Sequence, residues 1–304
     1  MISVILPSYN EEKMIATAAG VISGILEREQ IDFELIFVDD GSRDKTWEQI
    51  QKTSAENPHV VGVHFSRNFG KEAAMFAGLE QAKGDCCAIL DCDLQHPPEK
   101  LVEMYHLWLQ GYEVVEGVKS SRGKENPLHT LCAKGFYAII SSATGIDMSK
   151  ASDFKLLDRK AVDALLILPE RAPFFRALSS WVGFKTTSIP FEVQERTIGT
   201  SKWSVFSLFK YAVQNITAFS GAPMQFVTMM GWIMFIASIA LGIHSLYKYF
   251  TGTALEGFTT VILLQLIIGS VLMISLGIIG HYISRIYDEI KARPRYIVSK
   301  RCGC

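Results

Sequence analysis

The segment 88-AILDCDLQHPP-98 ends an apolar run with two aspartates, a glutamine and two prolines. The run itself, residues 86–90, is typical of a buried strand, and Asp91, Asp93 and Gln95 follow it at alternating positions. Oxygen ligands of this kind suit a hard divalent cation, which often bridges to substrate phosphates. The segment therefore predicts a site for Mg²⁺ or Mn²⁺ at the tip of a strand. Because Asp-x-Asp is a common pattern, two carboxylates that only form a turn are the alternative.

The first half of the chain alternates short apolar runs with helical patterns. Continuous apolar strands that alternate with helices indicate an α/β fold, with a mostly parallel sheet covered on both faces. The predicted strands are residues 2–6, 34–38, 60–65 and 86–90, followed by 112–117 and 187–192, and the predicted helices are 12–28, 46–56 and 71–82.

A polar motif follows each of the first four strands. Ligands of open α/β sheets bind at the carboxyl ends of the strands, so these motifs predict an active site at that edge. Asp39 directly follows a strand, and we expect it to accept hydrogen bonds from a base or a ribose. Helix capping is the alternative for its neighbours Asp44 and Thr46. The four motifs are 7-PSYNEE-12, 39-DDGSRDKT-46, 66-SRNFGKE-72 and 91-DCDLQHPP-98.

The sequence contains neither a G-x-x-x-x-G-K-[ST] phosphate loop nor a G-x-G-x-x-G fingerprint. Bound phosphates would therefore be held by a metal and by basic side chains. The candidates are Lys71, Arg122, Arg196 and Lys202, for each of which a solvated surface charge is the alternative. His96 has no Cys or His at a zinc-ligand spacing, and we expect it to be a structural residue of a turn.

Two segments, 227–247 and 257–284, contain no Asp, Glu, Lys or Arg. Each is long enough to cross a hydrocarbon core of about 30 Å, and only the short stretch 250–257 joins them. We predict a membrane hairpin, with a pair of buried core helices as the alternative. Basic residues follow the second segment, so the chain is expected to be a multi-pass protein of the cell membrane with both termini in the cytoplasm.

The composition excludes other classes. A formal net charge of −1 over 304 residues argues against nucleic-acid binding, which requires a basic field. The six cysteines suggest no disulfide framework, as expected for a protein that faces the cytosol. The first apolar stretch, residues 2–7, is too short for a signal peptide and lacks a basic start.

Six motifs stand in the order 7-PSYNEE-12, 39-DDGSRDKT-46, 66-SRNFGKEAAMFAGL-79, 91-DCDLQHPPE-99, 152-SDFKLLDR-159 and 196-RTIGTSKW-203. Together they resemble family 2 glycosyltransferases that act on polyprenyl phosphate, a group that includes bacterial undecaprenyl-phosphate glucosyltransferases and dolichyl-phosphate mannose synthases. The two apolar segments and 293-RPRYIV-298 are similar to the bacterial branch. The resemblance implies a GT-A fold, a nucleotide-diphosphate sugar donor, a divalent metal and inversion at the anomeric carbon.

The resemblance also implies roles for individual residues. Asp153 stands at the position of the catalytic carboxylate, where it would orient the attack or accept a residual proton. Arg196 and Lys202 would act in catalysis and, with Arg122, face the acceptor phosphate. Many relatives have arginine where Lys155 stands. The nucleotide sugar is expected to be bound by Pro7, Tyr9, Glu11, Asp39, Lys71 and Asp91.

The predicted organisation is a cytoplasmic GT-A catalytic domain at 1–202, an amphipathic juxtamembrane region at 203–226, membrane helices at 227–250 and 258–284, and a basic cytoplasmic tail at 285–304. The expected reaction transfers one sugar, UDP-glucose being the favoured donor, to undecaprenyl phosphate for glycosylation of the cell envelope. UDP-N-acetylglucosamine, UDP-galactose and GDP-mannose are alternative donors. A processive polysaccharide synthase and a non-catalytic nucleotide-sugar-binding membrane protein are alternative functions. The further partners that we expect are a second copy in a homo-oligomer, a downstream flippase and a second glycosyltransferase.

Overall fold

The computed structural model describes residues 1–119, 152–170, 173–192, 222–251 and 257–303. The chain divides into two units, of which the first comprises Met1–Ser204 together with Arg293–Cys304 and the second Val205–Ala292. The last residues of the chain therefore belong to the first unit.

A mixed sheet forms the centre of the first unit. Its described strands are β1 (Ile2–Ser8), β2 (Phe33–Asp39), β3 (Val60–Phe65), β4 (Cys86–Ile89), β5 (Val114–Lys119), β6 (Lys155–Asp158), β7 (Thr186–Phe191) and β8 (Val298–Cys302). They lie in the order β7-β5-β6-β4-β1-β2-β3-β8. Only β6 and β8 run antiparallel to their neighbours within this described sheet, so the predicted mostly parallel α/β sheet is confirmed.

Helices cover both faces of the sheet. The described ones are α1 (Ile15–Arg28), α2 (Thr46–Glu56), α3 (Lys71–Gln81), α4 (Lys100–Leu109), α5 (Arg159–Ile167) and α6 (Phe175–Trp181). Residues of α1, α2 and α4 belong to the apolar core on one face, and residues of α3 to the core on the other. The three predicted helices correspond to α1, α2 and α3. Helix α1 begins three residues later than expected, because residues 12–14 form a turn in which the Met14 N–H donates to the Glu11 carbonyl.

Strand β2 shows why the central strands of the sheet, β1, β2 and β4, lack an exposed polar face. Leu35 and Phe37 pack into one core, whereas Ile36 and Val38 pack into the other. Successive side chains of a strand point to opposite faces, so a strand covered on both faces must be apolar throughout. Helix α3 lies especially close to β1, since a Cβ on Gly78 would be 2.3 Å from a side-chain carbon of Ile5.

The antiparallel strand β6 brings a distant part of the chain to the carboxyl end of β4. Ile89, the last residue of β4, is opposite Lys155, the first residue of β6. Residues just before β6 therefore lie beside residues just after β4. This placement brings Asp153 to the edge of the sheet at which Asp91 lies.

Strand β8 differs from the predicted basic tail at 285–304. It pairs antiparallel with β3, with Val63 opposite Arg301 and Gly62 opposite Cys302. A Cβ on Gly62 would be 2.6 Å from the Cys302 sulfur, so glycine makes room for this side chain. The pairing joins residues more than two hundred positions apart, which is why no local pattern around β8 indicates it.

The second unit contains the helices α7 (Ala222–Phe250) and α8 (Phe258–Ile290). The stretches Met224–Lys248 and Leu264–Ile290 are long and apolar enough to cross a membrane, judged by length and composition. Most of their described large apolar side chains are exposed within this unit, including Trp232, Phe235 and Met273. The predicted apolar segment 227–247 lies within α7, and the segment 257–284 is helical from Phe258 onward.

Candidate active site

The turn after β4 holds the two aspartates of the opening motif. The Gln95 N–H donates to Asp93 Oδ1 at 3.1 Å, and the Leu94 N–H donates to the Asp91 carbonyl at 3.2 Å. Leu94 adopts a left-handed conformation with φ of 55°, which lets the chain reverse directly after the strand. The two carboxylates therefore stand on a short, internally bonded turn at the carboxyl edge of the sheet.

Lys71 connects this turn to Asp153. Its Nζ is 2.6 Å from Asp91 Oδ1 and 3.1 Å from Asp153 Oδ2. Lys71 is the first residue of α3, and Asp153 precedes β6. Three segments that are far apart in sequence therefore contribute one cluster of charges. Of the predicted nucleotide-sugar ligands, Lys71 contacts the predicted catalytic carboxylate, and Asp91 is linked to that carboxylate through Lys71.

The loop that leads into α3 is held in place by Asp40. Its carboxylate accepts hydrogen bonds from the N–H groups of Phe69 at 2.6 Å and Gly70 at 2.9 Å. Gly70 has φ of 102°, a conformation that residues with a Cβ rarely adopt. Burial raises the pKa of Asp40, and the two backbone donors oppose that rise. The position of Lys71 is therefore set by the loop and by Asp40.

Arg176 also belongs to this charge cluster, although no sequence motif predicted it there. Its Nε donates to Asp153 Oδ1 at 2.6 Å and its Nη2 to Asp153 Oδ2 at 2.8 Å, a two-pronged arrangement that matches guanidinium to carboxylate. A signal was present in the sequence, because Arg176 is the one charged residue within the apolar stretch 173-PFFRALSSW-181. A lone arginine in such a stretch needs a buried partner.

The two cations decide the protonation of Asp153. Burial by itself would raise the pKa of this carboxyl group, but the Lys71 ammonium and the Arg176 guanidinium outweigh burial and hold the pKa well below its usual range. Burial likewise opposes the charge of Lys71, while Asp91 and Asp153 raise its pKa. Asp153 is therefore an ionised group whose two oxygens are both engaged, which makes it a weak proton acceptor.

Glu72 lies beside this cluster. Its Oε2 accepts a hydrogen bond from the Phe175 N–H at 2.9 Å. Burial and the nearby charge of Asp153 raise its pKa to about 7. Glu72 thus ties the start of α3 to the start of α6, the helix that carries Arg176.

The turn after β4 fits a divalent cation of the Mg²⁺ type. Among the residues that the structure describes, no three His, Cys, Asp or Glu side chains form a metal-binding group. Asp91 and Asp93 can still supply two carboxylate ligands, and Mg²⁺ commonly takes one or two carboxylates and completes its shell with substrate phosphates. Lys71 already places one cation against Asp91, which shows that this carboxylate attracts positive charge.

Asp39 has structural partners in the described chain. It is fully buried; its Oδ1 accepts from the Ser42 N–H at 3.0 Å and its Oδ2 contacts His64 Nδ1 at 2.7 Å. Its binding of a nucleoside stays a prediction. Tyr9, at 42% exposure, stands beyond the end of β1 and offers a ring to solvent.

The remaining predicted ligands near β1 are Pro7 and Glu11. Pro7 lies within β1, opposite Val38 of β2. The Glu11 N–H donates to Thr46 Oγ1 at 2.8 Å, which joins the first two polar motifs. Both residues thus lie at the predicted edge of the sheet.

His96 and the basic candidates complete the site residues. The His96 ring stacks on Phe154 with centroids 5.0 Å apart and meets Phe191 edge-on, and burial lowers its pKa, as suits a structural histidine. Arg122, Arg196 and Lys202 lie outside the residues that the structure describes.

This chain is similar to a known protein family and to named glycosyltransferases. A profile described as glycosyl transferase family 2 matches residues 3–166. The uncharacterized glycosyltransferase YkcC of Bacillus subtilis (strain 168) is 38% identical over 303 residues, which are 99% of this chain and 94% of that protein. The bactoprenol glucosyl transferase of Shigella phage SfII is 34% identical over 303 residues, which are 98% of this chain and 97% of that protein.

Solved structures support the fold. Glucosyl-3-phosphoglycerate synthase from Mycobacterium tuberculosis, in complex with Mn²⁺, UDP-glucose and phosphoglyceric acid, has a TM-score of 0.54 at 21% identity, covering 71% of this chain and 77% of that one. Its complex with Mg²⁺ and UDP also has a TM-score of 0.54, at 20% identity, with 73% and 79% covered. These similarities establish the predicted GT-A fold. The profile match and the relatives of nearly full length show that the chain belongs to glycosyl transferase family 2 and is a glycosyltransferase.

Proposed function

We propose that this glycosyltransferase moves a single sugar, with inversion, from a nucleotide-diphosphate sugar to a polyprenyl phosphate at the cytoplasmic face of the membrane. Undecaprenyl phosphate is the favoured acceptor and UDP-glucose the favoured donor. Relatives named bactoprenol glucosyl transferase, which align with 98% of this chain, support the lipid and the sugar. The product would be a polyprenyl-phosphate sugar for glycosylation of the cell envelope.

The state of Asp153 is the observation that carries this proposal. An alcohol acceptor needs a base to remove its proton, but Lys71 and Arg176 keep Asp153 ionised and engaged. A phosphate monoester has a second pKa of about 6, so it is largely dianionic at pH 7 and needs little help from a base. The site therefore suits an acceptor that arrives already ionised.

The covalent step follows from these charges. A phosphate oxygen of the acceptor attacks the anomeric carbon, the bond from that carbon to the nucleoside diphosphate breaks, and the diphosphate leaves with the electron pair. Asp153 would orient Lys71 and Arg176, which would offset the negative charge that two anionic substrates bring together. Arg122, Arg196 and Lys202 would contact the acceptor phosphate, while Pro7, Tyr9, Glu11 and Asp39 would surround the nucleoside.

Asp91 and Asp93, assisted by Gln95, would hold the divalent cation. When bound, Mg²⁺ or Mn²⁺ would supply neutralisation of the charge that develops on the departing diphosphate. The solved structures with Mn²⁺ or Mg²⁺ support this assignment through the shared fold.

The helices α7 and α8 would cross the membrane as a hairpin, with both termini in the cytoplasm. Their length and apolar composition support this arrangement. An acceptor on a long isoprenoid chain is confined to the bilayer, so an enzyme anchored there meets it at a high effective concentration. The expected partners, a homo-oligomer, a flippase and a second glycosyltransferase, belong to this proposal.

The test uses the full-length chain in vesicles that contain undecaprenyl phosphate, with Mg²⁺ and radiolabelled UDP-glucose. One sugar per lipid phosphate is the expected product, and nothing should form without the lipid. Polymer would identify a processive synthase instead, and binding of the donor without turnover would identify a sensor. A parallel series with UDP-N-acetylglucosamine, UDP-galactose and GDP-mannose determines the donor.

A further inference from the structure

A second layer of charge lies beneath Asp153, on the same face of the sheet. Lys155 is two residues further along, at the start of β6, and both it and Asp153 contact helix α6. It is fully buried, at 0% exposure. Its Nζ donates to Glu116 on β5 and to Ser179 Oγ at 2.7 Å. A charged group buried this completely is costly unless it is paired, which calls for a reason beyond packing.

The Ser179 hydroxyl, which accepts the hydrogen bond from Lys155, is also bonded to the backbone of Arg176. Ser179 Oγ accepts from Lys155 and donates to the Arg176 carbonyl at 3.2 Å. Arg176 and Ser179 are three positions apart on α6, so they face the same side of that helix. The segment that runs from Asp153 into β6 is therefore joined to helix α6 by two connections, from Asp153 to the Arg176 side chain and from Lys155 to Ser179.

These two connections fix the register of α6 against β6. We propose that Lys155 is a positioning residue for sugar transfer, which acts through Ser179 to hold Arg176 on Asp153. This inference rests on the proposed function. Helix α6 is short, spanning Phe175–Trp181. A shift of Ser179, which contacts the Lys155 ammonium, would therefore also move the Arg176 guanidinium near the start of the helix. Lys155 itself has no role in contacting substrate in this scheme.

The decisive variant removes the charges without leaving one unpaired. In the double variant Lys155→Met, Glu116→Gln, a buried ion pair is replaced by neutral groups of similar size, a change that folded proteins often tolerate. We expect its thermal unfolding temperature to stay near that of the unaltered chain and its KM for UDP-glucose to change less than about twofold. Its kcat should fall about tenfold to a hundredfold, since a displacement of about 1 Å costs up to 10²-fold in rate.

Two further variants separate positioning from general damage. Lys155→Arg keeps the buried charge and should recover most of the rate. Lys160→Met removes an exposed lysine of the neighbouring helix α5 and should leave kcat unchanged. A purely structural role for Lys155 predicts instead that unfolding temperature and rate fall together, and an unchanged kcat in the stable double variant would overturn the inference.

Ser179→Ala keeps the test valid if the double variant does not fold. It leaves the Lys155–Glu116 pair intact and removes only the hydroxyl that reaches Arg176. If Lys155 acts through Ser179, Ser179→Ala by itself should lower kcat with little change in the KM for UDP-glucose, and an unchanged kcat would contradict the proposal. Where a Lys155 variant folds, its kcat loss and that of Ser179→Ala should be non-additive. Sugar transfer by the unaltered chain is measured before any variant is compared. If the unaltered chain transfers no sugar, the result contradicts the proposed function and not the role of Lys155.

Discussion

Arg176 holds both oxygens of Asp153, with Nε to Oδ1 at 2.6 Å and Nη2 to Oδ2 at 2.8 Å. Lys71 adds a third contact to the same carboxylate at 3.1 Å. Asp153 is therefore better placed to arrange cations than to take up a proton.

Asp153→Asn should slow transfer about a hundredfold while leaving donor binding intact, because it would release Lys71 and Arg176 from their shared partner. The two cations keep the pKa of Asp153 well below its usual range, so the carboxylate stays ionised throughout the working pH range. The defect should therefore be of equal size from pH 6 to pH 9 in measurements of kcat. A defect that shrinks as pH rises would assign Asp153 to proton removal instead.

Asp93→Asn should weaken metal-dependent binding of the donor and reduce turnover by orders of magnitude, since metal stabilisation of a leaving diphosphate contributes several kcal/mol. Donor affinity is to be measured by calorimetry with Mn²⁺ present and absent. Asp163→Asn, at an exposed carboxylate of α5, is the matched control. Full activity of the unaltered chain in excess chelator would remove the metal from the scheme.

Lys71→Met should tighten the binding of Mn²⁺ in the absence of nucleotide. The Lys71 ammonium lies 2.6 Å from Asp91 Oδ1 and therefore competes with a metal for that carboxylate. Titration followed by electron paramagnetic resonance of free Mn²⁺ measures the affinity directly. Lys100→Met, which removes an ammonium paired with Glu103, is the control. Equal or weaker Mn²⁺ affinity in the Lys71 variant would contradict the competition.

Glu72→Gln should stabilise the protein at pH 8 and have little effect at pH 5. Burial and Asp153 raise the folded-state pKa of Glu72 to about 7, above its ordinary value of 4.5. The folded state thus binds this proton more tightly than the unfolded state, and stability is lost as pH rises from about 4.5 to about 7. Glutamine carries no proton to lose, and its amide oxygen can still accept from Phe175.

The difference is expected to be of the order of 1–3 kcal/mol in the free energy of unfolding at pH 8. Thermal unfolding of both proteins at the two pH values measures it. A variant that is less stable than the unaltered chain at pH 8 would show that ionised Glu72 contributes favourable pairing instead.

Reporter fusions test the proposed topology. A reporter after Cys304 should be cytoplasmic, and one inserted between residues 252 and 255 should be extracytoplasmic, because basic residues follow the second apolar helix. Protease protection in inverted and right-side-out vesicles provides an independent measurement. The opposite result would refute both this topology and the use of a cytosolic donor.

The sequence by itself determined the alternation of strands and helices in the α/β fold and the edge of the sheet at which the site lies. Runs such as residues 35–38 are apolar throughout because the strand is covered on both faces, a local property that composition records directly. The position of Asp91 and Asp93 after β4 follows from the same pattern. The two long helices α7 and α8 follow from uninterrupted apolar segments.

Only the tertiary structure decided which charges meet at that edge. Asp153 lies at the same edge of the sheet as Asp91 because β6 enters the sheet antiparallel beside β4, and Arg176 meets Asp153 because α6 is held to the start of β6 through Ser179 and Lys155. Pairings between segments this far apart depend on sheet register and on the loss of chain entropy when long loops close, neither of which leaves a local pattern. For the same reason the sequence does not indicate strand β8, whose partner β3 lies more than two hundred residues earlier in the chain. Lys155 is the clearest case, since the residues around it in the sequence do not indicate its partners, and only the contacts with Glu116 and Ser179 give it a place beside the site.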